Sequence, residues 1–117
     1  MKINLMAAVL LAASFAQPAL AGGHALSGMA SFYGSESGSH TASGARFRPH
    51  GLTAAHRTLP FGTVLRCVHR GRAVVVTVND RGPAKWTRRF LDLSRGAATV
   101  IGMIGAGVGH VVCEVAG

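Results

Sequence analysis

The chain has 117 residues, of which 12 are Lys or Arg and only 4 are Asp or Glu, so its formal net charge is +8 at pH 7. This length suits one small domain and excludes several domains within it. The positive charge indicates an anionic partner such as nucleic acid, a membrane surface or an acidic cell-wall polymer. Because the aromatic residues are not interleaved with basic ones as on a base-stacking surface, we expect no nucleic-acid partner.

Residues 1–21 have the features of a secretory signal peptide. Lys2 supplies a basic start, residues 5–16 are apolar, and Ala19-Leu20-Ala21 is a small-residue cleavage site. The alternative is a membrane anchor, but a spanning helix needs roughly 20 apolar residues and this run is shorter. We therefore expect cleavage after Ala21 and export of a soluble mature chain, without a transmembrane segment, to the periplasm or the medium.

The remaining residues, 22–117, are predicted to form a single domain without a lipid anchor. Gly22 and Gly23 follow the cleavage site, where a lipid-anchored protein would have a cysteine. Removing the signal peptide takes away Lys2 and no acidic residue, so the mature chain stays strongly basic. We expect this domain to be a monomer.

The mature chain is predicted to be mainly β. Helical periodicity is nearly absent, and short strand-like runs alternate with Gly, Pro, Ser and His. The six runs are residues 29–33, 52–56, 63–68, 73–79, 89–94 and 110–115. Residues 69–72 suit a hairpin turn with Gly71 at its tip, and residues 94–103 form the one helical segment, with Ser94 as N-cap. The pattern predicts a compact six-stranded β-barrel with one short helix.

The only two cysteines of the chain, Cys67 and Cys113, both lie in strand-like apolar segments. In an exported protein such a pair indicates a disulfide. The alternatives are a cysteine nucleophile, which would lack a reducing compartment, and two unpaired buried thiols. We expect the Cys67–Cys113 bond.

The histidines and serines suggest neither a metal site nor a hydrolase triad. The six histidines form no H-x-H or H-E-x-x-H pair, so we expect no metal and no cofactor. No G-x-S-x-G motif surrounds any serine, Ser43 included. His56 differs from the other histidines because it ends an apolar run, where a histidine is usually a hydrogen-bonded structural residue.

Two of the four acidic residues lie within or directly after strand-like runs. Asp80 ends the run Val-Val-Val-Thr-Val-Asn and precedes Arg-Gly-Pro. It is either the start of an Asx-type turn, a partner of Arg81, or a carboxyl at the rim of a groove that acts as a general acid. Hydrolysis or transfer at a glycosidic bond needs such an acid. Asp92 is predicted to be structural, anchoring Arg81, Arg95 or the start of the helix. Residues 34–51 form a long polar Gly/Ser-rich loop, which is typical of functional loops.

Six segments together resemble the rare lipoprotein A family. They are GMASFYG, TASGARF, LTAAHRTLPFGT, VVVTVNDRGP, FLDLSRGAA and IGMIGAGVGHVVCEV, in this order from Gly28 to Val115. The resemblance implies a double-psi β-barrel and the activity of a septal-ring lytic transglycosylase on peptidoglycan. The barrel is also similar to that of expansins and family 45 endoglucanases, which bind or cut polysaccharides in an open groove.

The resemblance also implies roles for individual residues. Asp80 falls at the position of the family's catalytic acid/base, and His56 falls at its groove histidine, which reverses the purely structural interpretation. The acid protonates the glycosidic oxygen between N-acetylmuramic acid and N-acetylglucosamine, and the muramoyl C6 hydroxyl attacks C1 to leave a 1,6-anhydro end. The residues expected to contact the glycan strand are Tyr33, Ser43, Asn79, Arg81 and Arg46.

The chain departs from the family pattern at three points. Ala45 replaces the groove glutamate of the family's TASGE motif, and the nearest acid in that loop is Glu36. The lipid-attachment cysteine and the peptidoglycan-binding repeat domain of many members are not found, so septal targeting is not implied. Two hypotheses follow: a lytic transglycosylase that uses Asp80, or an expansin-like module that grips glycan strands without cutting them. An unrelated role, as an inhibitor or secreted effector, is the third alternative.

Overall fold

The computed structural model describes residues 25–117, which form a closed barrel of six strands. The strands are β1 (Ala25–Tyr33), β2 (Thr53–Ala55), β3 (Val64–His69), β4 (Arg72–Asp80), β5 (Leu91–Ser94) and β6 (Val108–Val115). Their order around the barrel is β1–β5–β2–β4–β3–β6. The pairs β1/β5 and β2/β4 are parallel and the other neighbours are antiparallel. The predicted signal peptide, residues 1–21, lies outside the described residues.

The predicted strands and the helix are confirmed, with altered ends. The helix α1 spans Arg95–Val100, and the Ser94 hydroxyl accepts a hydrogen bond from the Ala97 N–H, as predicted for an N-cap. It is shorter than predicted because Gly102 adopts a positive φ of 74°. The N–H of Met103 then bonds to the Ala98 carbonyl, which is the Schellman ending of a helix. Within residues 25–117 we find no helix with the length and apolar character needed to cross a membrane.

The hairpin between β3 and β4 has the turn that the sequence predicts. Arg70 and Gly71 have φ angles of 50° and 81°. Two successive positive φ angles define a type I′ turn, whose twist matches the strands it joins. His69 and Arg72 are therefore paired at the end of the ladder.

The barrel interior is filled by alternate residues of each strand. On β4 the inward valines are Val74, Val76 and Val78, each at most 5 % exposed. Cys67 of β3 and Cys113 of β6 are register partners, fully buried, and joined by a disulfide. The bond closes a loop with a sequence separation of 46 residues, which would stabilise the fold by about 4 kcal/mol in the chain-entropy model.

The long polar loop, residues 34–51, is packed against the barrel. It contains a 3₁₀ turn at Ser35–Ser37 and an isolated bridge between His40 and Arg46. Phe47 is buried and stacks on Tyr33 at the end of β1, with 4.8 Å between ring centroids. This contact fixes the loop beside the carboxyl ends of β1 and β4.

Candidate functional site

The candidate site is centred on the outer face of the barrel at Ala55 of β2. Ala55 is the register partner of Asp80 on β4 and of Asp92 on β5. Asp92 in turn pairs with Ser31 on β1. Because neighbouring strands lie about 4.8 Å apart, the two aspartate backbones stand roughly 10 Å apart with Ala55 between them. Two of the four acidic residues of the chain are thereby brought to one surface.

A β-bulge in β4 directs Asp80 to this surface. Val78 faces the core, so strict alternation would turn Asp80 inward as well. The register between β2 and β4 shifts at this point, because Ala54 pairs with Val78 whereas Ala55 pairs with Asp80. Asn79 is the extra residue, and bulges of this kind re-aim side chains next to active sites.

The two aspartates line an open cleft of about 300 Å³. Its lining residues are Tyr33, His40, Ala55, Asp80, Arg81 and Asp92. A larger cavity of about 460 Å³ lies at the β3–β4 hairpin, where it is lined by His69, Arg70 and His110 among others. That cavity has no carboxyl group in its lining, so the cleft at Ala55 is the better candidate for acid–base chemistry.

Both carboxylate oxygens of Asp80 accept hydrogen bonds. Oδ1 accepts from the backbone N–H groups of Ala42, at 2.8 Å, and Arg81, at 2.9 Å. Oδ2 accepts from the Tyr33 hydroxyl at 2.9 Å. Donors from three segments therefore fix the carboxylate in one orientation at the cleft. The Arg81 guanidinium is not its partner, in contrast to one of the alternatives considered for this residue.

Tyr33 connects the Asp80 carboxylate to the packed loop. Its ring stacks on Phe47 with an interplanar angle of 10°. Burial, and then the hydrogen bond to Asp80, raise the pKa of Tyr33 well above its ordinary value. Tyr33 therefore stays protonated and supplies a hydroxyl to the cleft at any physiological pH.

His56 lies beside the cleft rather than in its lining. Its ring Nδ1 accepts the backbone N–H groups of Thr58 and Leu59, at 3.1 and 3.0 Å. Nδ1 is thus an acceptor, and in the neutral ring the proton is on Nε2. Partial burial, followed by the positive charges of Arg57 and Arg81, lowers the pKa of His56. The ring is consequently neutral at pH 7, and it holds together the turn that follows β2.

Arg81 braces the same turn. Its Nη1 donates to the carbonyls of His56 and Leu59, at 3.2 and 2.8 Å, and its guanidinium lies 3.9 Å from the centroid of the Phe61 ring. It also lines the cleft, so protein groups fix the position of a cation at the edge of the site.

The other residues expected to contact substrate lie around the cleft. The Ser43 N–H bonds to the Asn79 carbonyl at 3.3 Å, which ties the polar loop to β4. The Asn79 side-chain oxygen is buried and has no hydrogen-bond partner among the described residues. Arg46 is exposed and pairs with His40 through the backbone. The side chains of Ser43, Asn79 and Arg46 do not line the cleft, whereas that of His40, which the sequence did not single out, does.

Asp92 has a different partner from those predicted. It accepts a hydrogen bond from the Ser31 hydroxyl and forms an ion pair with Arg89, 3.5 Å from Nε to Oδ1. The predicted anchors, Arg81 and Arg95, are replaced by Arg89, which lies two residues before β5 and three residues before Asp92. Asp92 is also a cleft residue, which its expected structural role had not indicated.

Ala45, at the position where the resemblance implies a glutamate, lies in an exposed turn closed by the bond from the Thr41 N–H to the Ala45 carbonyl. Glu36 does not take its place in the cleft. Its carboxylate accepts the Gly34 N–H at 2.9 Å, and this bond lowers its pKa.

Comparisons with known proteins identify the family. A family model described as lytic transglycolase matches residues 25–113. The probable endolytic peptidoglycan transglycosylase RlpA of Nostoc sp. is 56% identical over 96 residues, covering 77% of this chain and 25% of that protein. The endolytic peptidoglycan transglycosylase RlpA of Pasteurella multocida is 46% identical over 97 residues, covering 80% and 33%. The chain thus spans about a quarter to a third of these relatives.

Solved structures show the same fold at low identity. The Streptomyces papain inhibitor has a TM-score of 0.64 and 21% identity, with 80% of this chain and 96% of that chain covered. An apo expansin of Clavibacter michiganensis has a TM-score of 0.62 and 19% identity, with 80% and 50% covered. Together with the family match, the barrel order and the short helix, these similarities show that the chain is a double-psi β-barrel of the RlpA-like lytic transglycosylase family.

Proposed function

We propose that this domain is an endolytic peptidoglycan lytic transglycosylase that uses Asp80 as its acid/base. The observation that carries the proposal is the Asp80 carboxylate, which a β-bulge turns into an open cleft and which three donors hold there. The substrate class follows from the names of relatives that are up to 56% identical.

In the proposed reaction the carboxyl group of Asp80 donates its proton to the oxygen between N-acetylmuramic acid and N-acetylglucosamine. The C1–O bond of the muramoyl residue breaks, and its C6 hydroxyl attacks C1. The proton of that hydroxyl passes to the Asp80 carboxylate, which restores the acid and leaves a 1,6-anhydro end. The three donors act most strongly on the carboxylate formed after the first proton transfer, as preorganised stabilising groups should.

The two carboxylate oxygens differ in their suitability for proton transfer. Oδ1 faces two backbone N–H groups, which can only donate. Oδ2 faces the Tyr33 hydroxyl, which can donate to a carboxylate or accept from a carboxylic acid. We assign the transferred proton to Oδ2, and we assign neutral His56 a supporting role in holding the turn beside the cleft.

A binding module without catalysis is the second candidate. The absence of a glutamate at Ala45 favours it, because that exposed turn adds no acid to the cleft. For either candidate function, we also propose that the chain is exported after cleavage at Ala21, that it acts outside the cytoplasm and that the domain is a monomer.

Digestion of purified sacculi and peptide-free glycan strands separates the two candidates. Mass spectrometry should detect 1,6-anhydromuramoyl ends with the wild-type chain. The variant Ala45→Glu should produce them faster if the native protein is a weakened enzyme, and it should remain folded because the position is exposed. Glycan binding by both proteins without any anhydro ends would reject the transglycosylase and support the binding module.

A further inference from the structure

Trp86 is the most exposed large apolar side chain of the described residues. It is 84 % exposed and lies in the 3₁₀ turn Lys85–Thr87. Trp has a large apolar ring with a polar N–H, and it is enriched where proteins contact partners. It is also the single Trp of the chain.

The loop that carries Trp86 begins and ends at the cleft. It comprises residues 81–90, between Asp80 at the end of β4 and Leu91 at the start of β5. Both Asp80 and Asp92 line the cleft, and β2 lies between their strands. The loop therefore joins the two strands whose aspartates line the cleft, and Trp86 lies midway between Asp80 and Asp92 in the sequence.

Hydrogen bonds from Arg57 and within the loop fix the conformation of residues 81–90. Arg57, just after β2, donates through Nη1 to the carbonyls of Pro83 and Arg89, both at 2.8 Å. One guanidinium thus ties the two arms of the loop together. Thr87 adds a bond from its hydroxyl to the Ala84 carbonyl at 2.7 Å. The indole is displayed on a fixed support, so binding would require little ordering of the backbone.

We propose that Trp86 is a stacking platform for a sugar ring of the glycan strand, next to the bond that the cleft acts on. This inference rests on the proposed substrate and adds a subsite to it. A pyranose ring in a β-linked strand presents a face of axial C–H groups, which packs against an aromatic face. The neighbouring exposed cations Lys85 and Arg88 fit the carboxylates that muramic acid and its peptide stems carry.

The proposal is tested by the emission of Trp86 itself. The full mature chain with Asp80→Asn, which we expect to bind without cutting, is titrated with soluble peptide-free glycan strands. Stacking should shift the emission to shorter wavelength and protect the indole from quenching by acrylamide. Calorimetry on the same strands should show that Trp86→Ala, in the same Asp80→Asn background, weakens binding about tenfold.

A matched control is available on the opposite side of the barrel. Val112 is an exposed apolar residue of β6, the strand farthest from β2 in the barrel order. Val112→Ala should leave both the emission change and the affinity intact. Because Trp86 is exposed, Trp86→Ala should fold normally, which circular dichroism verifies.

The remaining outcomes are informative. Unchanged emission on glycan binding, or wild-type affinity of Trp86→Ala, would overturn the stacking platform without affecting the transglycosylase. Emission changes with vesicles of anionic phospholipid, but not with glycan, would overturn it in favour of a membrane contact. A tenfold loss in Trp86→Ala, in a protein that makes no anhydro ends, would support the platform while rejecting the catalytic proposal.

Discussion

At the scale of single residues, the contact between Tyr33 and Asp80 links packing to chemistry. Tyr33 ends β1, and its ring stacks on Phe47 of the long loop. Its hydroxyl then reaches Asp80 Oδ2 at 2.9 Å. The stack on Phe47 positions the Tyr33 ring and thereby its hydroxyl. Of the three donors to Asp80, this hydroxyl alone can also accept a hydrogen bond.

Tyr33→Phe should reduce the rate of anhydro-end formation about tenfold, because it removes one hydrogen bond to a charged group. The ring and its stack on Phe47 are kept, so the melting temperature should change little. Initial rates on glycan strands and thermal denaturation measure the two effects. A Tyr33→Phe variant with the wild-type rate would show that the hydroxyl does not assist Asp80.

The sequence identified Asp80 because acids are rare in this chain and this one follows a buried strand. It did not identify the Tyr33 bond, since the two residues lie 47 positions apart and meet only when β1 and β4 are placed in one barrel. Asp92 was assigned an anchor role, and its presence in the cleft depends on the register partners that it shares with Ala55. Spacing along the chain contains no direct signal for either contact.

At the scale of elements, the turn after β2 depends on His56. Its Nδ1 accepts two backbone N–H groups, from Thr58 and Leu59, and Arg81 bonds to two carbonyls of the same turn. Protonation of His56 would remove the acceptor and add a third positive charge next to Arg57 and Arg81. Burial of the ring, and then the charges of Arg57 and Arg81, lower the pKa of this histidine.

The lowered pKa of His56 predicts a loss of stability in mild acid. The unfolded chain takes up a proton near its ordinary pKa of about 6.5, whereas the folded chain resists it to lower pH. The contribution of neutral His56 to the free energy of unfolding is therefore fully present above about pH 6.5. It is lost as the pH falls toward the pKa of His56 in the folded chain. His56→Asn keeps an acceptor and removes the titration. Urea unfolding at several pH values gives the free energy of unfolding of wild type and of His56→Asn. As the pH is lowered, wild type should lose more stability than the variant does. A difference between the two proteins that does not change with pH would contradict this.

Several elements followed from local residues and others did not. The N-cap Ser94, the hairpin tip Gly71 and the Cys67–Cys113 pairing were each indicated by residue type and position. The bulge at Asn79 was not, because the alternation of valines in β4 gives no sign of where it stops. That bulge decides whether Asp80 faces the core or the cleft. The sequence therefore identified Asp80 as a candidate but could not predict the direction of its side chain.

At the scale of the whole molecule, the positive charge is expected to form a broad rim around the cleft. Arg46, Arg48 and Arg88 are exposed in the loops that flank the motifs. The charge of Arg89 is offset by its ion pair with Asp92, whereas Arg81 bonds only to neutral backbone carbonyls and keeps its charge at the cleft. An anionic polymer would meet several separate charges rather than one cluster.

Binding to sacculi should therefore weaken as salt is raised, since exposed charges are screened over about 8 Å at physiological ionic strength. Co-sedimentation with sacculi at a series of salt concentrations measures the effect. Arg48→Gln should reduce the salt dependence slightly. Binding that does not respond to salt would indicate that stacking and hydrogen bonds, rather than charge, hold the glycan.

The central claim, that the Asp80 carboxyl transfers the proton, is tested most directly by mass spectrometry of 1,6-anhydromuramoyl ends released by Asp80→Asn. The amide keeps the shape of the side chain but cannot deliver a proton, so the yield should fall by a factor of about 10² to 10⁴ while glycan binding persists. The matched variant Asp92→Asn changes the other cleft carboxylate, which is paired with Arg89, and should lose less. Anhydro ends at the wild-type rate from a folded Asp80→Asn variant would contradict the account.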